Sequence, residues 1–181
     1  MVRGIPAIAG LVLLALNTGC GSSFPGSTVT GADLGLETNP GVTTLAAAQR
    51  PTLVTGQVIY VPIYSEIYDL GPNRTFQLAA TLSLRNTDRQ NPIVITAVDY
   101  YDSAGKRVKT YLTDPIQLAP LTSTAVVVHQ TDTLGGTGAN FLVTWGAAVA
   151  VSEPIVEAIM ISTASQQGIS FVSPGRVIEQ R

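Results

Sequence analysis

The sequence predicts an all-β fold: an immunoglobulin-like antiparallel β-sandwich of about seven strands, preceded by a signal segment and a flexible tether. Short apolar runs that alternate with polar residues recur along the second two-thirds of the chain, and turn-forming residues separate them. No long amphipathic helix interrupts these runs. The 181 residues therefore divide into a signal peptide (1–19), an N-terminal tether (20–52) and one sandwich domain (53–181).

The first nineteen residues have the pattern of a secretory signal. Arg3 supplies the positive end, an apolar segment runs from Ile5 to Leu16, and small residues follow it. A bilayer span needs about 20 apolar residues, and this run has twelve. The pattern therefore predicts export rather than a membrane-spanning helix.

Cys20, the single cysteine, ends the stretch Asn17-Thr18-Gly19-Cys20, which resembles the lipobox of bacterial lipoproteins. The resemblance implies that the chain is cut before Cys20 and that its thiol carries a diacylglycerol. Asn17 departs from the leucine that is usual at this position. The alternative is ordinary cleavage with a free thiol, but a lone exposed thiol in an oxidising compartment invites stray disulfide pairing. Two acyl chains attach a protein stably to a membrane, because each buried CH₂ contributes about 0.8 kcal/mol to the free energy of membrane binding.

Residues 20–52 are expected to form the lipidated N-terminus and a flexible linker. Of the 32 residues from Gly21 to Thr52, 18 are Gly, Ser, Thr, Pro or Asn. Such a composition buries too little apolar surface to offset the entropy lost on ordering. One helical turn is expected at residues 45–50, and Pro51 ends it.

The clearest strand signal lies at residues 74–86, where apolar and polar residues alternate from Phe76 to Arg85. This two-residue period is typical of a half-buried antiparallel strand. Residues 57–64 alternate in the same way, and Pro62 predicts that they form an edge strand, because proline donates no hydrogen bond to a neighbour.

The remaining strands follow from β-branched runs and turn residues. Residues 92–112 predict a hairpin whose turn, Asp102 to Gly105, places glycine where a positive φ is needed. Further strands are expected at 124–129 and 140–145, with a glycine-containing loop between them. Residues 155–162 are apolar on both faces, which fits a central strand or a buried helix; their β-branched content favours the strand, and Gly168 introduces another.

Several of these phrases together resemble a family of uncharacterised bacterial lipoproteins that carry a domain of unknown function, common in cyanobacteria and proteobacteria. The resemblance spans residues 53–177. The phrases that carry it are GQVIYVPIYSEIY, LSLRNTD, ITAVDYYDSAGK, LAPLTS, GGTGANFLVTW and EPIVEAIMISTASQQGISF. It implies an exported and anchored protein, and it implies no catalytic residue.

His129, the single histidine, is the strongest candidate for a catalytic base. It lies near Asp132, and Ser123 or Ser170 are the nucleophiles that a hydrolase would need within hydrogen-bond reach of the imidazole. No G-x-S-x-G elbow exposes a serine. We therefore expect no catalytic residue, and a His129-dependent hydrolase remains the alternative.

Neither of two other polar groups predicts a site. Asp99, Asp102 and Glu157 are carboxylates that calcium favours, but they lack the spacing of a calcium loop. The glycines from Gly135 to Gly138 lack the lysine of a phosphate-binding loop and precede a strand rather than a helix. We expect no metal and no cofactor.

The tyrosines offer a candidate interaction face. Tyr60, Tyr64 and Tyr68 recur every four residues, which keeps them on one side of a continuous strand. Tyr100, in the predicted hairpin, is expected to belong to the same face. Such a face suits a protein surface or a sugar ring. The alternative is that these rings pack at the rim of the sandwich.

These expectations combine into a non-enzymatic, lipid-anchored cell-envelope module for binding or assembly. Its expected partners are the membrane, through the lipid on Cys20, and an envelope protein or a glycan. Gly21 replaces the aspartate often linked to inner-membrane retention, so the expected location is the outer membrane, facing the periplasm. The formal net charge of −2 and the absence of a basic cluster exclude nucleic acid as a partner. A carrier of an apolar ligand between the sheets is a further alternative.

Overall fold

The computed structural model describes residues 1, 36–37, 39–164 and 168–181, and within them the protein is built almost entirely of β-strands. The strands are, in chain order, β1 (Val42–Thr44), β2 (Thr55–Pro62), β3 (Glu66–Tyr68), β4 (Thr75–Gln77), β5 (Ala79–Arg85), β6 (Ile93–Tyr101), β7 (Arg107–Thr110), β8 (Ile116–Leu118), β9 (Ser123–Val128), β10 (Asn140–Ala147), β11 (Ile155–Ser162), β12 (Ile169–Pro174) and β13 (Arg176–Gln180). Two short 3₁₀ turns complete the set, at Ala47–Gln49 and Gly136–Gly138.

The strands form two large sheets and one small hairpin, and all pairings are antiparallel. The seven-stranded sheet has the order β1-β8-β6-β10-β2-β13, with β7 also paired to β6. The four-stranded sheet has the order β12-β11-β5-β9, and β3 pairs with β4 alone. The predicted antiparallel β-sandwich is therefore confirmed, although the strands number more than seven.

The core fills the space between the two large sheets. Each sheet turns alternate side chains inward, as the two-residue period of a strand requires. The largest completely buried side chains come from both sheets and include Phe141, Tyr100, Leu82, Leu84, Met160 and Ile95. Close packing of this kind makes the core the main source of stability.

Two predictions about single strands are wrong. Residues 74–86 form two strands, β4 and β5, because the chain leaves the small hairpin at Leu78, whose N–H donates to the Ser65 carbonyl at 2.8 Å. Strand β2 is not an edge strand, since it lies between β10 and β13. Pro62 is tolerated because it is the last residue of β2, beyond the point where β13 pairs.

Other strand predictions are confirmed. The hairpin of residues 92–112 consists of β6 and β7, and Gly105 in its turn has φ +77°. Residues 155–162 form strand β11, which lies inside the four-stranded sheet between β5 and β12. The sheet explains why β11 is apolar on its inner side, where it meets the core.

Part of the segment predicted as a flexible linker, residues 20–52, contacts the sandwich, whereas residues 46–50 within it are exposed. Leu36 bridges Val126, and β1 pairs with β8. Leu45 is buried at 5% exposure, because the apolar residues scattered among the polar ones in this segment meet the core. The predicted signal peptide and lipidated Cys20 lie outside the described residues.

Gly175 makes the corner at which the chain crosses from one large sheet to the other, between β12 and β13. Its N–H donates to the Val156 carbonyl at 2.8 Å. A Cβ there would lie 2.6 Å from that carbonyl oxygen and 2.6 Å from Cγ2 of Ile59, so the corner has room only for glycine.

Candidate binding surfaces

Strand β11 carries apolar side chains on both faces, and only one face meets the core. Val156, Ala158 and Met160 point inward and are buried. The alternate residues Ile155 and Ile161 point outward and are about half exposed, at 49% and 47%. An internal strand whose outer side is isoleucine-rich and open to solvent is unusual, because strands of this composition are normally covered on both sides.

Neighbouring strands extend this outer surface. Ile159 lies directly opposite Val172 of β12 on one side and Thr81 of β5 on the other, and Thr81 lies opposite Val127 of β9. Val172 and Val127 are 55% and 39% exposed. We call the outward side chains Val127, Ile155, Ile159, Ile161 and Val172 the apolar face.

Polar and charged groups lie among the residues of the apolar face and beside them. On β5, Thr81 lies between Ile159 and Val127, Ser83 lies between Glu157 and Ala125, and Arg85 follows at the end of the strand. Arg85 Nε donates to Ser83 Oγ at 3.0 Å, which holds the guanidinium along the surface of the sheet. Glu157 is the carboxylate on the outer side of β11. The apolar face thus carries Glu157 between Ile155 and Ile159, with Arg85 directly opposite Ile155.

A second surface feature is a cleft of about 550 Å³ beside the β3–β4 hairpin. Its volume lies in the range of small-molecule sites. The residues that line it include Ile67, Tyr68, Asp69, Arg74, Phe76 and Ile169. The hairpin aligns two of them, because Ile67 pairs with Phe76 in its register.

An ion pair stands at the rim of this cleft. Arg74 Nε lies 3.0 Å from Asp69 Oδ2, and the backbone N–H of Asp69 donates to the Arg74 carbonyl at 2.9 Å. The Arg74 side chain is 66% exposed and that of Asp69 30%. Tyr68, 62% exposed, completes the rim. The hairpin therefore presents an aromatic ring beside a paired cation and anion.

The predicted tyrosine face does not form, and the assignment of Tyr100 to it is wrong. Tyr100 is completely buried, with its ring 5.0 Å from that of Phe141. Tyr60 lies half-buried on the outer side of β2, whereas Tyr64 packs its ring 5.8 Å from that of Phe171. Tyr68 is 62% exposed, and it lines the cleft.

A bulge in β6 explains the burial of Tyr100. Trp145 pairs with Ile95 and Thr144 with Ala97, so one extra residue, Thr96, stands between them. The extra residue reverses which side chains point inward beyond it. Alternation continued from Ile95 would have turned Tyr100 toward solvent, and the bulge turns it into the core.

The Tyr100 hydroxyl is buried without a hydrogen-bond partner among the described residues. Burial raises its pKa to about 12, and the nearby Ser65 hydroxyl opposes this rise. Ser65 Oγ itself donates to the Gly136 carbonyl at 3.1 Å. The Tyr100 and Ser65 hydroxyls are therefore neighbours that do not meet the geometry of a hydrogen bond.

The hydrolase residues do not come together. His129 is exposed just beyond β9, and Ser123 begins the same strand, which places it about 20 Å away. Ser170 lies on β12, at the opposite edge of the four-stranded sheet. The backbone N–H of Asp132 donates to the His129 carbonyl at 2.8 Å, a contact that closes a turn.

The carboxylates considered for a metal are also dispersed. Asp99 accepts a hydrogen bond from Thr110 Oγ1 at 2.7 Å and lies 3.8 Å from Arg107. Asp102 accepts from the N–H groups of its own turn, and Glu157 lies in the other sheet. Within the residues that the structure describes, no group of three metal-ligating side chains is found.

Sequence reasoning missed both surfaces in part. The sequence carries a signal for the apolar face, because residues 155–162 are apolar on both sides, but the same pattern is typical of a strand that is covered on both faces. The cleft needed the pairing of β3 with β4, which three-residue strands do not reveal. Tyr68 was singled out, but Asp69 and Arg74 were not.

Two antiparallel sheets around one core define the class of the protein: an antiparallel β-sandwich with a lateral hairpin. The chain belongs to the family described as "Protein of unknown function (DUF3124)", whose model matches residues 56–178. A comparison with curated proteins finds no match. No helix in the described part of the chain is long and apolar enough to cross a membrane.

Among solved structures, the chain is similar to the crystal structure of Thermotoga maritima 1070. The two share 9% sequence identity, and the similar region covers 66% of this chain and 92% of the other. The TM-score is 0.38. At this score the similarity carries no argument about function.

Proposed function

We propose that the protein is a non-enzymatic, lipid-anchored module of the bacterial cell envelope that binds an envelope protein through its apolar face. The observation that supports this proposal is the row Val172–Ile159–Thr81–Val127, which is apolar at three of its four positions, with Val172 55% and Val127 39% exposed. Contiguous exposed apolar surface of this kind marks interaction sites in folded proteins. A complementary apolar surface on the partner would remove the apolar face from water on binding, which is favourable.

The anchor in this proposal is a diacylglycerol on Cys20, with residues 1–19 removed. It is supported by the resemblance of residues 17–20 to a lipobox and by the short apolar segment before them. The proposed location is the outer membrane, facing the periplasm. Intact mass of the protein extracted from membranes tests the anchor: we expect loss of residues 1–19 and the added mass of the acyl chains, and an unmodified Cys20 contradicts it.

Site-specific crosslinking in intact envelopes tests the binding face. A photo-crosslinking amino acid replaces Ile159, which is half-buried on the apolar face, and in a matched control it replaces Leu142, half-buried on the outer side of the seven-stranded sheet. We expect a discrete protein adduct from position 159 and none from position 142. Equal adducts from both positions, or none from position 159, contradict the proposal.

Two alternative functions lack such support. A hydrolase that uses His129 needs a nucleophile beside the imidazole, but Ser123 lies at the other end of β9 and Ser170 lies on β12, at the opposite edge of the sheet. Replacement of His129 by alanine and comparison of the producing cells tests it directly. A carrier of an apolar ligand needs space between the sheets, where the side chains of Leu82, Phe141 and Met160 are packed with no exposure.

A further inference from the structure

The cleft beside the β3–β4 hairpin has a chemistry different from that of the apolar face. Its inner wall is apolar, made by the half-buried side chains of Ile67 and Phe76, with Ile169 across from them. Tyr68 stands at its edge with most of its ring in solvent. A flat apolar ligand face can therefore lie against an aromatic ring and an aliphatic wall together.

The polar groups at the rim are already neutralised as a pair, yet they keep hydrogen-bonding capacity. Arg74 uses Nε toward Asp69, its side chain is 66% exposed, and its two terminal nitrogens add further N–H donors. Asp69 is engaged through Oδ2, and a carboxylate has a second oxygen that accepts further hydrogen bonds. The rim thus offers donors and an acceptor side by side with no net charge.

From this arrangement we infer that the cleft binds a neutral pyranose ring of a glycan. A pyranose has an apolar C–H face that stacks on an aromatic ring, and its vicinal hydroxyls both donate and accept, which matches Arg74 and Asp69. An anionic ligand is disfavoured because Asp69 lies next to the one cation of the pair. A purely aliphatic ligand is also disfavoured, because it would remove water from the Asp69–Arg74 ion pair without offering new hydrogen bonds.

Titration of the purified protein with chitotetraose and cellotetraose, followed by two-dimensional amide NMR, tests the inference. We expect at least one of these neutral oligosaccharides to shift the amides of residues 67–69 and 74–76 at millimolar concentration. If neither oligosaccharide shifts these amides, the inference is wrong. Amide shifts that spread over the whole domain, rather than clustering in the hairpin, would also contradict the inferred glycan site.

Variants then separate stacking from folding. Replacement Tyr68→Ala removes the ring and should raise Kd about tenfold, which corresponds to about 1.4 kcal/mol. Tyr68→Phe keeps the ring and should leave Kd nearly unchanged. Leu70→Ala is the matched control, because Leu70 is 88% exposed at the tip of the same hairpin without lining the cleft. Equal binding by Tyr68→Ala and the control contradicts stacking.

The inference concerns the hairpin and does not depend on the apolar face. Crosslinking at Ile159 and glycan binding at Tyr68 report on different sheets of the molecule. A protein that binds the oligosaccharides but gives no adduct at position 159 retains the glycan site and loses the proposed protein partner. A protein that gives the adduct at position 159 but binds neither oligosaccharide retains the proposed protein partner and loses the glycan site.

Discussion

The buried Tyr100 hydroxyl gives the sharpest prediction about stability. A buried hydroxyl without a hydrogen-bond partner carries a desolvation cost of about 1–3 kcal/mol. Replacement Tyr100→Phe removes this oxygen and keeps the ring contact with Phe141. After allowance for the small space that the oxygen leaves, we expect the free energy of unfolding to rise by about 1 kcal/mol.

Gly135 provides the partner for a double-mutant cycle. Its backbone is right-handed helical, with φ −75° and ψ −38°, so alanine is conformationally acceptable there. A Cβ at this position overlaps the Tyr100 hydroxyl oxygen and lies 2.7 Å from Cζ of that ring and 2.8 Å from Cβ of Ala139. Gly135→Ala alone should therefore lower the free energy of unfolding by about 2–3 kcal/mol.

Removing the hydroxyl should relieve part of this overlap. We expect Gly135→Ala to be at least about 1 kcal/mol less destabilising in the Tyr100→Phe background than in the wild type. Urea unfolding of the four proteins measures this coupling. If Tyr100→Phe lowers the free energy of unfolding by about 1 kcal/mol or more, the hydroxyl has a favourable partner and the prediction is wrong. If the coupling is zero, the Tyr100 hydroxyl and a Cβ at position 135 are not in contact.

Three further predictions concern stability. Asn86→Ala removes hydrogen bonds from one buried amide nitrogen to three backbone carbonyls and should cost about 3 kcal/mol in urea unfolding; a loss below about 1 kcal/mol contradicts this role. Gly175→Ala pushes a Cβ against the Val156 carbonyl oxygen and should cost about 1–3 kcal/mol by the same measurement, whereas unchanged stability means that the corner adjusts. Burial raises the pKa of Tyr100 to about 12 and that of Tyr111 further. Both tyrosines ionise more readily when unfolded, so the free energy of unfolding should be independent of their titration below pH 10 and fall from pH 10 to about 12; a flat profile there contradicts their burial.

Local patterns predicted most strands because strand period and turn chemistry are local properties. The β6–β7 hairpin followed from its Asp-Ser-Ala-Gly turn, in which Asp102 Oδ1 accepts the N–H groups of Ala104 and Lys106 at 2.9 Å. Strand β11 followed from its β-branched residues. The pairing of strands that are distant in the sequence could not be predicted from local patterns. Nothing local shows that β2 acquires β13 as a second neighbour after more than a hundred residues.

The candidate surfaces were harder to predict for the same reason. The burial of Tyr100 depends on a bulge at Thr96, whose hydroxyl donates to the Thr144 carbonyl at 3.2 Å on another strand. The exposure of Ile161 depends on the sheet having no second layer on that side among the residues that the structure describes. The described residues before β2 have the composition of a linker because their apolar residues are sparse, although Leu36 packs on the core and Leu45 is buried.

The central claim is that the apolar face holds a partner in the envelope, and native size analysis of gently solubilised envelopes tests it most directly. Ile161 is 47% exposed, so Ile161→Asp places a charge on the face at little cost to folding. We predict that the wild type and Leu142→Asp migrate in a complex, while Ile161→Asp migrates as the free protein with an unchanged Tm. A complex that survives Ile161→Asp in full contradicts the claim.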